Sequence, residues 1–383
     1  MESRQGLGQD RRVRTERHDM KFVPHNYQRY CINRMITDPV LGLFLDMGLG
    51  KTVITLTAVN DLRFNRFAVR KVLVIAPKKV AEDTWTRESQ KWDHLKMLRV
   101  IPVLGSIKQR IRAINTPGDI WVLSRDNVSW LVDYYKNDWP FDMVIIDELS
   151  SFKSNKAKRF RKLKSVRSHI HRIVGLTGTP TPNGLEDLWA QIYLLDEGKR
   201  LGKTLTGYRD NYFTPGARNG NVVYEYNPRT WADEEINERI KDICISMKAE
   251  DYLELPERID NVRHIKLPDK AKKQYEELEK TMIADIDGET IDVTSAAALS
   301  NKLLQLCNGA VYDADGIYHE VHDEKIEALK EIIDANAGKG ILVFYNFKHD
   351  KARIQKALKK SKLRIGELKN PDSITAWNNG QMD

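Results

Sequence analysis

Short unbroken apolar runs recur along the first half of the chain: Leu41–Leu45, Val72–Pro77, Ile120–Ser124, Met143–Asp147 and Ile173–Thr177. A strand whose two faces are both buried reads as such a run, whereas a strand with one wet face alternates. Segments of helical or basic character separate the runs and are long enough to carry the chain from one parallel strand to the next. The pattern predicts an α/β fold with a doubly wound parallel sheet. Ligands of such a sheet gather at the carboxyl ends of its strands.

The second half is less regular. After Trp189 the periodicity degrades, and residues 198–226 are rich in Gly, Asn and Tyr, which predicts an irregular or helical insertion. Helical patterns return at Pro268–Ile283 and Ala296–Leu306. A buried strand is expected at Gly340–Phe347 (GILVFYNF), then a basic helix at Asp350–Lys360 and a short strand at Leu363–Leu368. That is about two βα units of a second sheet. Residues 1–19 are arginine-rich with few apolar side chains and cannot bury a face, so disorder is expected there. Met20 opens MKFVPHNYQ, which reads as a natural start, and the residues before it as an upstream extension without catalytic purpose. A length of 383 residues suits two or three domains. The expected organisation is an N-terminal extension at 1–19, a first lobe at 20–196, a helical or irregular insertion at 197–256 and a partial second lobe at 257–383.

Composition narrows the class. Apolar residues make up 41% and charged residues 30%, a globular balance. No apolar run reaches the roughly 18 residues of a spanning helix, and no signal-peptide pattern opens the chain, so a cytoplasmic protein is expected. Cys31, Cys244 and Cys307 are too dispersed for a metal knuckle and too few for a disulfide framework; they are expected to be reduced and structural. The net charge of +8 favours a polyanionic partner. From Ser151 to Arg172 there are nine Lys or Arg and no acid, among them Lys153, Lys156 and Lys158. This run is either a solvated helix face or a footprint for a phosphate backbone.

The candidate chemistry begins at Leu43–Leu56, LFLDMGLGKTVITL, where a lysine stands between two buried runs. A strand that breaks at a glycine-rich turn and restarts as a helix aims several N–H groups and the positive end of the helix dipole at one point. Gly48 and Gly50, with Met47 before them and Leu49 between, let the backbone curl around phosphate oxygens, Lys51 reaches the β- and γ-phosphates, and Thr52 ligates Mg²⁺. Leu45 stands where the full pattern has its first glycine. At the end of the run MVIID, Asp147 and Glu148 are adjacent acids that would be costly to bury without a cation. In an ATP-hydrolysing site the first holds Mg²⁺ and the second polarises the attacking water. One crossover later, LTGTPTPNGLEDLW offers Thr177 and Thr179 as sensors of the γ-phosphate.

These residues resemble the Swi/Snf-related ATPases of helicase superfamily two, in the compact phage-type form. DMGLGKT is similar to the family's first motif, IIDEL to its DExx motif and LTGTPTPNGLEDLW to its third. Tyr27-Gln28, VLVIAPKKVAEDTW, VLSRDNV, MKAEDYLELPERI and GILVFYNF resemble further family motifs in order. The resemblance runs from about Phe22 to the last residue. It implies a P-loop NTPase with a RecA-like first lobe and an incomplete RecA-like second lobe, ATP and Mg²⁺ as cofactors, Gln28 on adenine, and double-stranded DNA as a partner gripped without sequence readout. By their place after the second and next strands, Lys78, Lys79, Ser124 and Arg125 are candidate backbone contacts. Trp85 and Trp92, at helical spacing, are expected in the core. The implied function is an ATP-dependent DNA translocase or helicase-like motor in phage DNA replication, recombination or repair. Its alternatives are a non-catalytic nucleotide-gated DNA-binding protein and a restriction-system motor subunit. Two departures stand out: Ser150 replaces a histidine common in the DExx motif, and no QxxGRxxR motif occurs in these residues. A C-terminally truncated or split motor with weak turnover is therefore expected, its arginines supplied by a continuation or a second polypeptide.

Overall fold

Seven strands form the central sheet: β1 (Val40–Leu45), β2 (Val72–Ala76), β3 (Val100–Val103), β4 (Ile120–Ser124), β5 (Met143–Asp147), β6 (Arg172–Thr177) and β7 (Cys244–Met247). Their spatial order is β7-β1-β6-β5-β2-β4-β3, and every neighbouring pair is parallel. The computed structural model describes residues 20–220, 222–253, 259–286, 288–293, 295–336 and 338–383. It divides into two units, Met1–Pro256 and Glu257–Asp383. The extension expected at residues 1–19 lies outside the described residues.

The five strands read from apolar runs form within one residue of their expected bounds. Their alternate residues feed two cores. Leu43, Val74 and Ile145 face one side, beneath α1 (Asn26–Thr37), α2 (Lys51–Asn60) and α3 (Trp85–Lys91), with Cys31, Leu56 and Trp85 packed above them. Phe44, Ile75 and Ile146 face the other, where Ile114 of α4 (Ile107–Ile114), Leu131 of α5 (Val128–Tyr135), Phe160 of α6 (Lys158–Ser165) and Ile192 of α7 (Leu188–Asp196) cover them. The sequence pattern does not signal β3 or β7, the two edges. Both are only partly buried, so neither carries a full apolar run. Pro102 is tolerated in β3 because an edge strand can spare a donor.

Residues 197–253 are bound to this sheet. They form α8 (Leu205–Tyr212), two short antiparallel ribbons between residues 213 and 228, α9 (Ala232–Ile240) and β7. Tyr208, Phe213, Ile236 and Ile240 share the core of Phe160 and Ile192, and β7 closes the outer edge of β1.

The second unit contains α10 (Asp269–Thr281), α11 (Ala296–Cys307), α12 (Glu324–Ala335), α13 (Lys348–Leu358), α14 (Pro371–Asn378) and two antiparallel hairpins. Leu278, Ile286, Ile291, Leu306 and Val311 make its core. Helices α10, α11 and α13 stand within about two residues of where the sequence predicts them, whereas α12 and α14 are not foreseen. The two expected strands do not form: residues 340–347 and 363–368 join no ladder, and Phe344 is 90% exposed. A parallel strand is held by neighbours on both sides, and among the described residues of this unit there are none to receive these runs.

Candidate nucleotide-binding site

β1, β6 and β5 are adjacent, so the three motifs that follow them meet on one edge of the sheet. Leaving β1, the chain turns through Gly48 (φ 88°) and Gly50 (φ 80°), left-handed conformations that disfavour a side chain. A Cβ on Gly50 would be strained by the left-handed φ and would lie 2.8 Å from Gln28 Nε2, so that side chain would have to shift. Leu49 is buried beneath the turn and Met47 projects from it, 85% exposed. Lys51 opens α2, whose first N–H groups have no preceding turn to accept them. Its Nζ donates to Leu45 O at 2.6 Å and Asp46 O at 3.1 Å. Burial lowers the Lys51 pKa, and Asp147, Glu148 and Asp46 oppose that shift. Thr52 follows, half-buried.

Asp147 ends β5, and burial raises its pKa. Its Oδ2 accepts a hydrogen bond from Trp85 Nε1 at 3.0 Å. Glu148 sits at φ 61°, ψ 63°, a strained conformation for a side-chain-bearing residue that costs roughly 1–3 kcal/mol. Such strain persists only where surrounding bonds hold it. Glu148 Oε1 accepts from the Ser150 hydroxyl and, at 3.0 Å, from the Thr177 hydroxyl. Thr177 Oγ1 in turn accepts from Thr179 N at 3.2 Å, which ties the turn after β6 to the acid after β5. The Thr179 side chain is exposed.

Gln28 approaches from α1. Its Nε2 donates to Leu49 O at 3.4 Å and its Oε1 accepts from His25 N at 3.0 Å, while the Tyr27 hydroxyl donates to the same Leu49 carbonyl. The segment after β7 also rests on the turn. Ala249 N donates to Asp46 Oδ2 at 3.0 Å, the Tyr252 ring lies 4.9 Å from that of Tyr27, and Leu253 borders Gly48. Sequence reading misses the contributions of Asp46, residues 249–253 and the Trp85 indole. The motif holding Trp85 is visible, but only the fold brings it to Asp147.

The residues present fit a nucleotide with Mg²⁺. Two left-handed glycines leave a backbone cradle, a half-buried lysine lies among three carboxylates, and Thr52 and Asp147 are the hard oxygen donors that Mg²⁺ takes.

Farther along the same edge, Lys78 and Lys79 follow β2 and are exposed; Lys78 Nζ lies 3.9 Å from Glu82. Arg125 follows β4, half-buried, but Ser124 is buried and its hydroxyl accepts from Asp126 N at 3.4 Å within a local turn. The basic run is divided. Arg167 is buried and donates to the Leu194, Leu195 and Ile170 carbonyls. Arg172 donates to the Met35, Ile36 and Asp38 carbonyls at the end of α1. Lys153 pairs with Asp187 at 3.3 Å, whereas Lys156 and Lys158 are exposed.

Known proteins show the same organisation. The SNF2-related domain matches residues 26–310. "Putative protein p41" of Acyrthosiphon pisum secondary endosymbiont phage 1 is 37% identical over 368 residues, 94% of this chain and 79% of that protein. The human SWI/SNF-related matrix-associated actin-dependent regulator of chromatin subfamily A member 1 is 32% identical over 180 residues, 44% of this chain but 17% of that far longer protein. The solved structure of the Sulfolobus solfataricus SWI2/SNF2 ATPase core in complex with dsDNA has the same fold, with a TM-score of 0.52 at 22% identity, covering 94% of this chain and 76% of that one. With the domain match spanning most of its length and both the phosphate turn and the acidic pair inside it, the chain belongs to the SNF2-related family.

Proposed function

We propose that the protein is an ATP-dependent DNA translocase or helicase-like motor. The observation that carries this reading is the meeting of phosphate turn, acidic pair and third motif at the ends of three adjacent strands, with Thr177 bonded directly to Glu148. Lys51 exchanges its two backbone carbonyls for the β- and γ-phosphates, and Gln28 reads adenine beside the turn. Thr52 and Asp147 would hold Mg²⁺, which would supply positive charge to the phosphates. Glu148 takes the proton of the attacking water, held in place by Ser150 and Thr177, and Thr179 stands by as a γ-phosphate sensor.

Duplex DNA is the polyanion gripped. Lys78, Lys79 and Arg125 lie on the edge that holds the nucleotide motifs, and Lys156 and Lys158 add exposed charge; the buried Ser124 hydroxyl shapes the turn that presents Arg125. Likeness to a phage protein supports a role in phage DNA replication, recombination or repair. These 383 residues carry no QxxGRxxR motif.

The test is ATP hydrolysis and nucleotide affinity measured without DNA, with single-stranded DNA and with duplex, for the wild type and Lys51→Ala. Duplex is expected to stimulate most, and Lys51→Ala to weaken nucleotide binding sharply. Unchanged affinity in Lys51→Ala would sink the site, and indifference to DNA would sink the motor.

A further inference from the structure

Trp85 takes no part in the chemistry assigned to Lys51, Glu148 and Thr177. It is fully buried at the start of α3, which the chain reaches from β2 through a π-helical turn at Val80–Thr84, and β2 is the sheet neighbour of β5. The indole therefore lies beside the end of β5, and its Nε1 donates to Asp147 Oδ2 at 3.0 Å. An indole N–H is a donor only, and a buried donor needs an acceptor. The core could have met that need with a backbone carbonyl, as Trp139 does with Phe141 O at 3.0 Å and Trp121 with Ala113 O at 3.3 Å. Here the acceptor is a carboxylate at the nucleotide site. A ring packed on all sides cannot swing, so the bond fixes one oxygen of Asp147 and with it the plane of the whole carboxylate.

We propose that Trp85 is a positioning residue for the metal–nucleotide: its indole holds the Asp147 carboxylate in the one orientation that receives Mg²⁺. This rests on the reading of Asp147 as a Mg²⁺ ligand and adds a residue to it. Partners that orient a metal ligand usually govern metal affinity by about 10- to 100-fold when removed. A purely structural tryptophan would change folding, or nucleotide binding as a whole, and leave the metal requirement alone.

The test is Trp85→Phe in the full chain, with a non-hydrolysable ATP analogue titrated calorimetrically in EDTA and at stepped Mg²⁺ concentrations. The metal-free affinity is expected to stay within about twofold of wild type, while the Mg²⁺ concentration giving half the metal-dependent gain rises roughly 10- to 100-fold. An unchanged Mg²⁺ requirement, or an equal loss of affinity with and without Mg²⁺, overturns the inference. Should Trp85→Phe fail to fold, 3-benzothienylalanine at position 85 keeps the bicyclic shape, replaces the N–H by sulfur and is read against the same outcomes. Lys51→Ala run alongside separates the two levels. If it binds the analogue as tightly as wild type, the site reading falls and the inference with it; if it binds weakly while the Trp85 variant keeps the wild-type Mg²⁺ requirement, only the inference falls.

Discussion

Thr177→Val separates a catalytic tether from a structural one. The substitution keeps the branched shape that packs β6 and removes a single hydroxyl. That hydroxyl is buried between Glu148 Oε1 at 3.0 Å and Thr179 N at 3.2 Å. A hydrogen bond to a charged group contributes about 1.5–3 kcal/mol, and the lower end applies because Glu148 is half-exposed and keeps the Ser150 hydroxyl. If the bond serves to aim the carboxylate at water, its loss appears in the barrier, and at about 1.4 kcal/mol per factor of ten turnover falls roughly tenfold. Folding loses about 1 kcal/mol, a drop of about 2–4 °C in Tm for a unit of this size. Single-turnover hydrolysis gives the first quantity, calorimetric nucleotide affinity the control and a thermal melt the last. A variant that melts lower but hydrolyses within twofold of wild type would refute the tether, as would nucleotide affinity that falls in step with turnover.

Dividing the basic run makes a second prediction. Arg167→Ala and Arg172→Ala should each cost about 1–3 kcal/mol of stability by stranding carbonyls, with no effect on the salt dependence of DNA binding. Lys156→Ala with Lys158→Ala should leave the melt unchanged and reduce the log–log salt slope by roughly 0.9 for each phosphate no longer neutralised; the opposite assignment of effects would show that the footprint lies elsewhere. Asp147→Asn addresses pH. Burial raises the Asp147 pKa, so the folded state holds the proton more tightly than the unfolded chain, and ionisation works against folding as pH rises through the raised value. In Mg²⁺-free buffer the variant should melt above wild type near pH 7, with the gap closing as pH falls toward about 3.9; a lower melt near neutrality would mean that Lys51 more than offsets the cost of burial.

Much of this was legible in the chain because the physics is local. An unbroken run such as VLVIA specifies burial on both faces by itself, and GLGKT carries its glycines, lysine and threonine within one turn. Legibility fails where a residue's role depends on what the fold brings to it. β7 mixes polar and apolar residues because it is an edge, and nothing in CISM says that it will lie beside β1. Residues 340–347 show the converse, a strand-like composition without neighbours to pair with. Trp85 was expected in the core and is there, yet its partner Asp147 follows from the adjacency of β2 and β5. In the basic run the number of charges could be read but their direction could not, since Arg167 and Arg172 turn inward to carbonyls at helix ends.

The position of β1 has a further consequence, for the order in which the protein can be made. β1 ends at Leu45, but the strands on either side of it begin at Arg172 and Cys244. At about 5–20 residues per second, on the order of 10–40 s separate synthesis of β1 from that of its outer partner. During that interval VLGLFL is an apolar strand with open edges, the kind of segment that recruits other chains. Slower synthesis lengthens this interval, and β1 gains its outer partner only once residue 247 has emerged.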